Sequence, residues 1–485
     1  MSFSMTSRVR RGIALSAVVL ATGGLVLYRA PAAAFPGDST FAKGPSVLTS
    51  GKNSAAFAGP GAHGMISLSH TRILAGQETT VFADVRVVAD VPTETRTITV
   101  GRAPISLAVV LDTSGSMSGE KIEEARRSVN RLISDMRDDD EITVVRYSDS
   151  SEVIQPLARV GTVRSALTSR IAQLDASGGT NIPDGLAHGL RALDEAAKGR
   201  VRRIVLVSDG LDSTRAQAEE LARSSFSHGI TVSSLGIGLD FDESYMGSLA
   251  ENGHGNFGFV KDGASLAKFL HRELDETAGT TVENARVRLR LPEGMRLVSV
   301  AGAAVAVDRN EIELALGSLF AGDERRVVVE LAASAYAQRT AGSSFDIDAT
   351  ASWNPVGQNT FSTNASRLSL LATADASDVE SGKDGAVLAS ATSVVASRRQ
   401  IEAANAYAQG DVVRAAQLAE KNEQALAAAM AAAPAPAATS LDTQMKAYRS
   451  MRKGFVTVSP KSAEGRAAAK EAAAKDLGNM SRSAF

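Results

Sequence analysis

Two carboxylates and three hydroxyls stand at positions where they could hold a metal ion together. Asp112, Ser114 and Ser116 follow an apolar run of strand length, and Asp209 follows a second such run. Thr180 comes directly after two glycines. Because ligands of open α/β sheets bind at the carboxyl ends of the strands, we expect these side chains to meet at that edge. Their oxygens are hard donors, which suit Mg²⁺, with Mn²⁺ or Ca²⁺ as alternatives, better than Zn²⁺.

The pattern Asp-x-Ser-x-Ser, with a distant Thr and a distant Asp, resembles the metal-ion-dependent adhesion site of the von Willebrand factor type A family. A turn that satisfies local backbone N–H groups is the alternative for the first segment alone. The resemblance implies direct contact from the hydroxyls and water-mediated contact from the carboxylates. Neutral ligands leave part of the ion's charge uncompensated, so an Asp or Glu carboxylate of a protein partner would be attracted.

Strands and helices alternate between residues 103 and 278, the segment that the resemblance covers. Such alternation predicts an α/β fold, with a mostly parallel, Rossmann-like sheet and helices on both faces. Residues 120–136 form the clearest amphipathic helix of this domain,. The resemblance also implies that metal binding is coupled to movement of the last helix, residues 264–278.

Short alternating strand patterns flank this domain on both sides,. Residues 65–100 are too few to bury their apolar face alone, and residues 281–371 need a second sheet. We therefore expect the two segments to form one discontinuous β-sandwich with the α/β domain inserted between them. This arrangement resembles bacterial exported relatives of calcium-activated chloride channel regulators and inter-α-inhibitor heavy chains.

The remaining segments are expected to carry little packed structure. Residues 35–62 are rich in Gly, Ser, Ala and Pro and predict a disordered tether, and residues 372–396 predict a small-residue linker,. Residues 397–430 predict a helical hairpin broken at Gln409-Gly410-Asp411. Two prolines after this hairpin indicate a linker, so residues 431–485 are expected to form a linker and a mostly disordered tail,.

The N-terminus predicts export. Arg8, Arg10 and Arg11 precede an uncharged, mostly apolar stretch over residues 12–28, and small residues at 32–34 are typical of a cleavage site,. Residues 1–34 are therefore expected to be a signal peptide or a retained membrane anchor. The protein would then be periplasmic, secreted or on the cell surface, with anchoring by residues 12–28 as the alternative.

Composition excludes several other classes of function. A formal net charge of −2 gives no reason to expect a nucleic-acid partner,. With no cysteine, the chain has no disulfides and no thiolate metal site. Neither HExxH, GxSxG nor GxxxxGK[ST] occurs. We expect His188 to be a structural or solvated residue and His254 a turn residue, while Asp149 and Asp212 are turn residues near the rim of the site.

These observations favour an exported, non-enzymatic protein that captures an acidic group of a protein partner through Mg²⁺. The first alternative is a structural component of an envelope or surface assembly whose metal stabilises the fold. A metal-assisted hydrolase is the less favoured alternative, because the motif supplies no general base.

Overall fold

The structure is a computed structural model that describes residues 52–91, 103–197, 199–209, 214–238, 241–260, 263–333, 341–356 and 362–481. The predicted signal peptide or anchor and Asp212 lie outside these ranges. Within the described residues, no helix has both the length and the apolar character needed to cross a membrane.

Four strands precede the α/β domain. The prediction of a tether over residues 35–62 is wrong for its described end, because Ser54–Gly59 forms a strand that pairs with the next one. Phe57 anchors this strand by packing on Gly64, where a side chain would collide with its ring. The strands are β1 (Ser54–Gly59), β2 (Ala62–Leu68), β3 (Arg72–Leu74) and β4 (Thr79–Ala89).

The α/β domain contains one six-stranded sheet in the order β10-β9-β8-β5-β6-β7. All neighbours are parallel except β6 and β7. Every residue of β5 is buried, as expected for a central strand covered on both faces,. The strands are β5 (Ile105–Asp112), β6 (Glu141–Tyr147), β7 (Ser151–Arg159), β8 (Val201–Ser208), β9 (Ile230–Ile237) and β10 (His254–Val260). The helices are α1 (Glu120–Asp135), α2 (Val160–Ile171), α3 (Ile182–Asp194), α4 (Arg215–Ser227), α5 (Glu243–Asn252) and α6 (Gly263–Ala278).

Seven further strands follow α6 and share two sheets with the N-terminal strands. One sheet has the order β1-β2-β4-β15-β12 and the other β13-β14-β11-β16-β17-β3. One cluster of buried apolar side chains draws on both sheets, with Ile66 and Val85 from the first and Val287 and Trp353 from the second. The strands are β11 (Thr280–Arg290), β12 (Met295–Ala301), β13 (Ala304–Asp308), β14 (Glu311–Phe320), β15 (Glu324–Ala333), β16 (Ser344–Pro355) and β17 (Ser362–Thr373).

The C-terminal part of the chain is helical, and two of the predictions for it are wrong. The predicted linker over residues 372–396 contains one short helix and the first half of a long one. The predicted tail over residues 431–485 contains two long helices. Pro434 and Pro436 stand at the start of a helix, where a missing N–H costs nothing,. The helices are α7 (Ala376–Ser381), α8 (Gly385–Ala408), α9 (Val412–Ala432), α10 (Ala435–Thr457) and α11 (Ala463–Ser481).

Candidate metal centre

Asp112 ends the central strand β5, and its carboxylate is buried. The Ser114 N–H donates a 2.8 Å hydrogen bond to Oδ1 of Asp112, and the Ser208 hydroxyl donates a 2.8 Å bond to Oδ2. Burial raises the pKa of Asp112 above its ordinary value,. Asp112 therefore fixes the loop that follows β5 and couples it to the end of β8.

Asp112, Ser114, Ser116 and Asp209 form what we call the oxygen cluster. A short 3₁₀ turn, Gly115–Met117, brings the hydroxyls of Ser114 and Ser116 to within 3.0 Å of each other. The Ser116 hydroxyl donates a 2.7 Å hydrogen bond to Oδ1 of Asp209, which lies buried just beyond β8. The structure thus brings four of the five sequence-predicted residues into one network.

Thr180, the fifth predicted residue, lies on a loop that the main chain ties to the oxygen cluster. The Gly115 N–H donates to the Gly178 carbonyl over 2.9 Å, and the Ser177 N–H donates to the Thr113 carbonyl over 2.7 Å. Thr180 is half-buried and directly precedes the cap of α3. The loop is therefore held beside the cluster by backbone bonds.

Asp149 closely approaches the two glycines before Thr180. Gly178 has a φ of +82°, and a Cβ at either glycine would collide with the Asp149 carboxylate,. Asp149 is exposed. It therefore lies on the rim of the site, beside the Thr180 loop.

Lys121 is a functional candidate that the motif did not reveal. It lies in the first turn of α1, and its ammonium group binds Oδ2 of Asp209 and donates to the Ser116 carbonyl over 3.2 Å. The only available signal was a lysine five residues after Ser116, and the partner carboxylate is 88 residues away. Local sequence therefore could not identify this contact.

The contacts of His188 and His254 are with residues outside the oxygen cluster. The Nδ1 atom of His188 is 2.6 Å from the Ser151 hydroxyl, which also donates to Asp184 over 2.8 Å. His254 is the first residue of β10, not part of a turn, and it is buried with a φ of +55°. Its ring packs on Phe226 with 4.1 Å between the ring centroids.

The residues of the cluster fit a hard divalent cation. With Mg–O bonds of about 2.1 Å, adjacent oxygens of an octahedron are about 3.0 Å apart, which is the separation of the Ser114 and Ser116 hydroxyls. The donors of the cluster are hydroxyls and two carboxylates. A different kind of metal site, built from three or more histidine or acidic side chains, does not occur among the described residues. The Lys121 ammonium also shows that this position attracts a cation.

Comparison with known proteins identifies the domain that carries the site. The sequence profile of the von Willebrand factor type A domain matches residues 106–272. The uncharacterised protein YfbK of Escherichia coli is 27% identical over 38% of this chain and 33% of its own length. Inter-alpha-trypsin inhibitor heavy chain H2 of Mus musculus is 30% identical over 35% of this chain and 20% of its own length. The chain therefore spans only a third or less of these two relatives.

The fold also matches solved structures. The von Willebrand factor type A protein from Catenulispora acidiphila superposes with a TM-score of 0.59 at 18% identity, over 77% of this chain and 87% of that one. The family match, the relatives and the parallel sheet with helices on both faces agree. Residues 106–272 of this chain therefore form a von Willebrand factor type A domain.

Proposed function

We propose that this protein binds an acidic group of a protein partner through a divalent cation held at the oxygen cluster. The preferred cation is Mg²⁺. The observation that carries this proposal is the contact of the Ser114 and Ser116 hydroxyls with each other and with Asp209, at 3.0 and 2.7 Å. A bound Mg²⁺ would supply a coordination position that a partner's carboxylate could fill.

The chain's own residues would prepare this site in distinct ways. Asp112 holds the Ser114 loop through the backbone N–H, while Asp209 orients the Ser116 hydroxyl. The Thr180 loop is fixed next to Gly115 by a 2.9 Å backbone bond. The hydroxyls would contact the ion directly, and the buried carboxylates would balance its charge. This arrangement needs little rearrangement before an ion binds.

Binding is favoured over catalysis by the surroundings of the hydroxyls. In the described part of the chain, neither Ser114 nor Ser116 hydrogen-bonds to a histidine that could act as a general base,. The His188 imidazole contacts Ser151 instead. We therefore propose a recognition site and not a hydrolytic one.

Calorimetric titration of the full-length protein with Mn²⁺ and Mg²⁺ tests the metal site. We expect binding of one ion, lost in Asp112→Ala and weakened at least about tenfold in Ser116→Ala, which removes a proposed ligand. Asp175→Ala is the matched control, because that carboxylate is 93% exposed on the same domain. Equal binding by wild type and both site variants would overturn the proposal.

Capture of partners in Mg²⁺ or EDTA separates recognition from a structural role. Binding should require Mg²⁺, fail in Asp112→Ala, and be displaced by an Asp-containing peptide but not by its Asn counterpart. If EDTA only lowers the melting temperature and leaves partner binding intact, the metal stabilises the fold. That result would favour the structural alternative.

Export is part of the proposal and rests on sequence alone. The basic residues before position 12, the apolar stretch over residues 12–28 and the small residues at 32–34 support a signal peptide or an anchor,. Fractionation of the source cells, with N-terminal sequencing of the mature protein, tests it. An intact N-terminus in the soluble cytoplasmic fraction would contradict export.

A further inference from the structure

We propose that Lys121 competes with the metal for Asp209 and thereby sets the metal affinity of the oxygen cluster. This inference rests on the proposed metal site and adds a residue outside its motif. The ammonium group binds Oδ2 of Asp209 while Ser116 donates to Oδ1, so both carboxylate oxygens have partners. Lys121 thus supplies a cation to the cluster.

Burial explains why Asp209 needs such a partner. The Asp209 side chain is 0% exposed, whereas that of Lys121 is 27% exposed. Isolated buried charges are strongly unfavourable, so a carboxylate in this position requires a compensating cation. Asp112 accepts hydrogen bonds from Ser114 and Ser208. Lys121 supplies this positive charge to Asp209.

The position of Lys121 is fixed by its surroundings. It lies in the first turn of α1, and its stem passes Gly238 at the end of β9. A Cβ at Gly238, whose φ is +76°, would be 3.2 Å from Cε of Lys121. The glycine therefore leaves the space through which the lysine reaches Asp209. Because the side chain is partly exposed, it also has a path into water.

Charge balance shows what the lysine would do once an ion arrives. Formally, two carboxylates and one ammonium sum to −1, and a divalent cation changes this sum to +1. Either the lysine leaves Asp209, which breaks an ion pair, or it stays and repels the ion. In both cases metal binding is weakened. If the lysine stays, the site carries a formal charge of +1 and is well matched to an anionic ligand.

Metal titration of Lys121 variants tests this inference. We expect Lys121→Met to bind Mn²⁺ at least about tenfold more tightly than wild type, because the competing charge is gone. Lys121→Arg keeps the charge and should bind much as wild type does. Lys268→Met is the matched control, since it removes the same charge from an exposed position on α6.

Thermal melting in EDTA supplies a second measurement that does not depend on partner binding. Without metal, Lys121→Met leaves Asp209 without its cation, so its melting temperature should fall below that of wild type. Saturating Mn²⁺ should then raise the melting temperature more in the variant than in wild type. A variant as stable as wild type in EDTA would count against the proposed charge compensation.

The possible results separate this inference from the proposed function. If wild type binds Mn²⁺ and folded Lys121→Met binds no more tightly, competition by Lys121 is wrong and the metal site stands. If only Lys121→Met binds, competition is supported and a metal site in the wild-type protein is overturned. If neither binds, both proposals are overturned.

Discussion

His254 is a buried neutral imidazole at the contact between the α/β domain and the β sheets. It stands opposite Gly317 of β14, where a Cβ would be 2.6 Å from the Cβ of His254. Burial, together with the charges of Arg325 and Arg286, lowers its pKa to about 3. Arg286 also lies over the ring of Phe226, at 5.0 Å from the centroid. A proton on His254 would thus meet both desolvation and like charge.

Acid should therefore weaken the protein through His254. Its pKa is about 3 in the folded state and about 6.5 in the unfolded chain, so the unfolded chain binds more protons between these values. This contribution is complete above about pH 6.5 and is lost as the pH falls towards 3. At pH 5 the loss amounts to about 2 kcal/mol.

Urea unfolding at pH 7.5 and 5.0 checks this prediction. His254→Asn, which tolerates a positive φ, should lose less stability on acidification than wild type. The difference between variant and wild type isolates His254, because other shifted groups, such as His70 and Asp476, remain in both. His228→Asn alters an exposed histidine and serves as the control. Equal acid sensitivity of His254→Asn and wild type would contradict the assignment.

At the scale of elements, α6 is fixed to the sheet by buried polar contacts. Glu273 of α6 is 2.8 Å from the Arg203 guanidinium on β8 and 2.6 Å from the Ser233 hydroxyl on β9. Asn256 of β10 donates to the other oxygen of Glu273 over 2.7 Å. A sliding movement of α6 would break contacts with three strands at once. These bonds oppose the helix movement that the family resemblance implies.

Glu273→Gln should therefore be strongly destabilising. It removes the closer of two carboxylates that pair with the buried Arg203, the other being Glu276 at 4.0 Å. We expect this loss to cost about 3 kcal/mol in free energy of unfolding. The double variant Arg203→Met, Glu273→Leu removes both charges and should recover much of that loss. Chemical unfolding measures both effects, with Asp275→Asn as a control on an exposed position of the same helix. Exposed ion pairs typically contribute less than about 1 kcal/mol. A loss of that size in Glu273→Gln would show that the Arg203–Glu273 pair stabilises the protein no more than an exposed pair does.

The elements that sequence predicts best are those with strong hydrophobic patterns. The strands that end in Asp112 and at Ser208 each contain a run of four or five apolar residues, 107–111 and 204–207, and α1 is amphipathic. The C-terminal helices lack such a signal, because α8 and α11 pack through alanine and polar residues. In the helical layer, buried Gln444 and Tyr448 bond to each other over 2.9 Å, which single-sequence patterns do not reveal.

The residues of the site also divide into those that a local sequence pattern reveals and those that it does not. The spacing of Asp112, Ser114 and Ser116 is a local motif, and the oxygen cluster contains them together with Asp209. Lys121 and Ser208 reach the cluster from other elements. Lysine and serine are common residue types, so only the three-dimensional arrangement identifies Lys121 and Ser208 as parts of the site.

For the whole molecule, the chain leaves and re-enters the two β sheets at nearly the same place. At the end of β4, Ala89 exchanges hydrogen bonds with Gly322 and Asp323, over 3.0 and 2.9 Å. After α6, the Gly279 carbonyl accepts from the Ala321 N–H over 2.9 Å. The end of β4 and the residue that follows α6 thus both meet the turn between β14 and β15. Such proximity permits insertion of one domain within another.

The C-terminal helices join the two parts of the molecule. The Ser390 hydroxyl of α8 donates to Asp84 of β4 over 2.5 Å. Farther along, Lys470 of α11 donates to the Phe241 carbonyl in the α/β domain over 2.6 Å and lies 4.0 Å from the centroid of that ring. The helices therefore contact both the sheets and the inserted domain.

Fragments of the chain test whether the β sheets depend on both flanking segments. Residues 281–371 alone lack β1, β2 and β4, so only β15 and β12 of that five-stranded sheet remain, and two strands are marginal in water,. Val327, Val329 and Leu331 of β15 would be left without much of their buried surroundings. We expect this fragment to be unfolded or aggregated by circular dichroism and size-exclusion chromatography. It should become soluble when residues 52–91, which contain β1, β2 and β4, are co-expressed with it. Residues 103–278 should fold alone, because their sheet is complete within that segment. A monomeric 281–371 fragment with a cooperative melting transition would show that the N-terminal strands are dispensable.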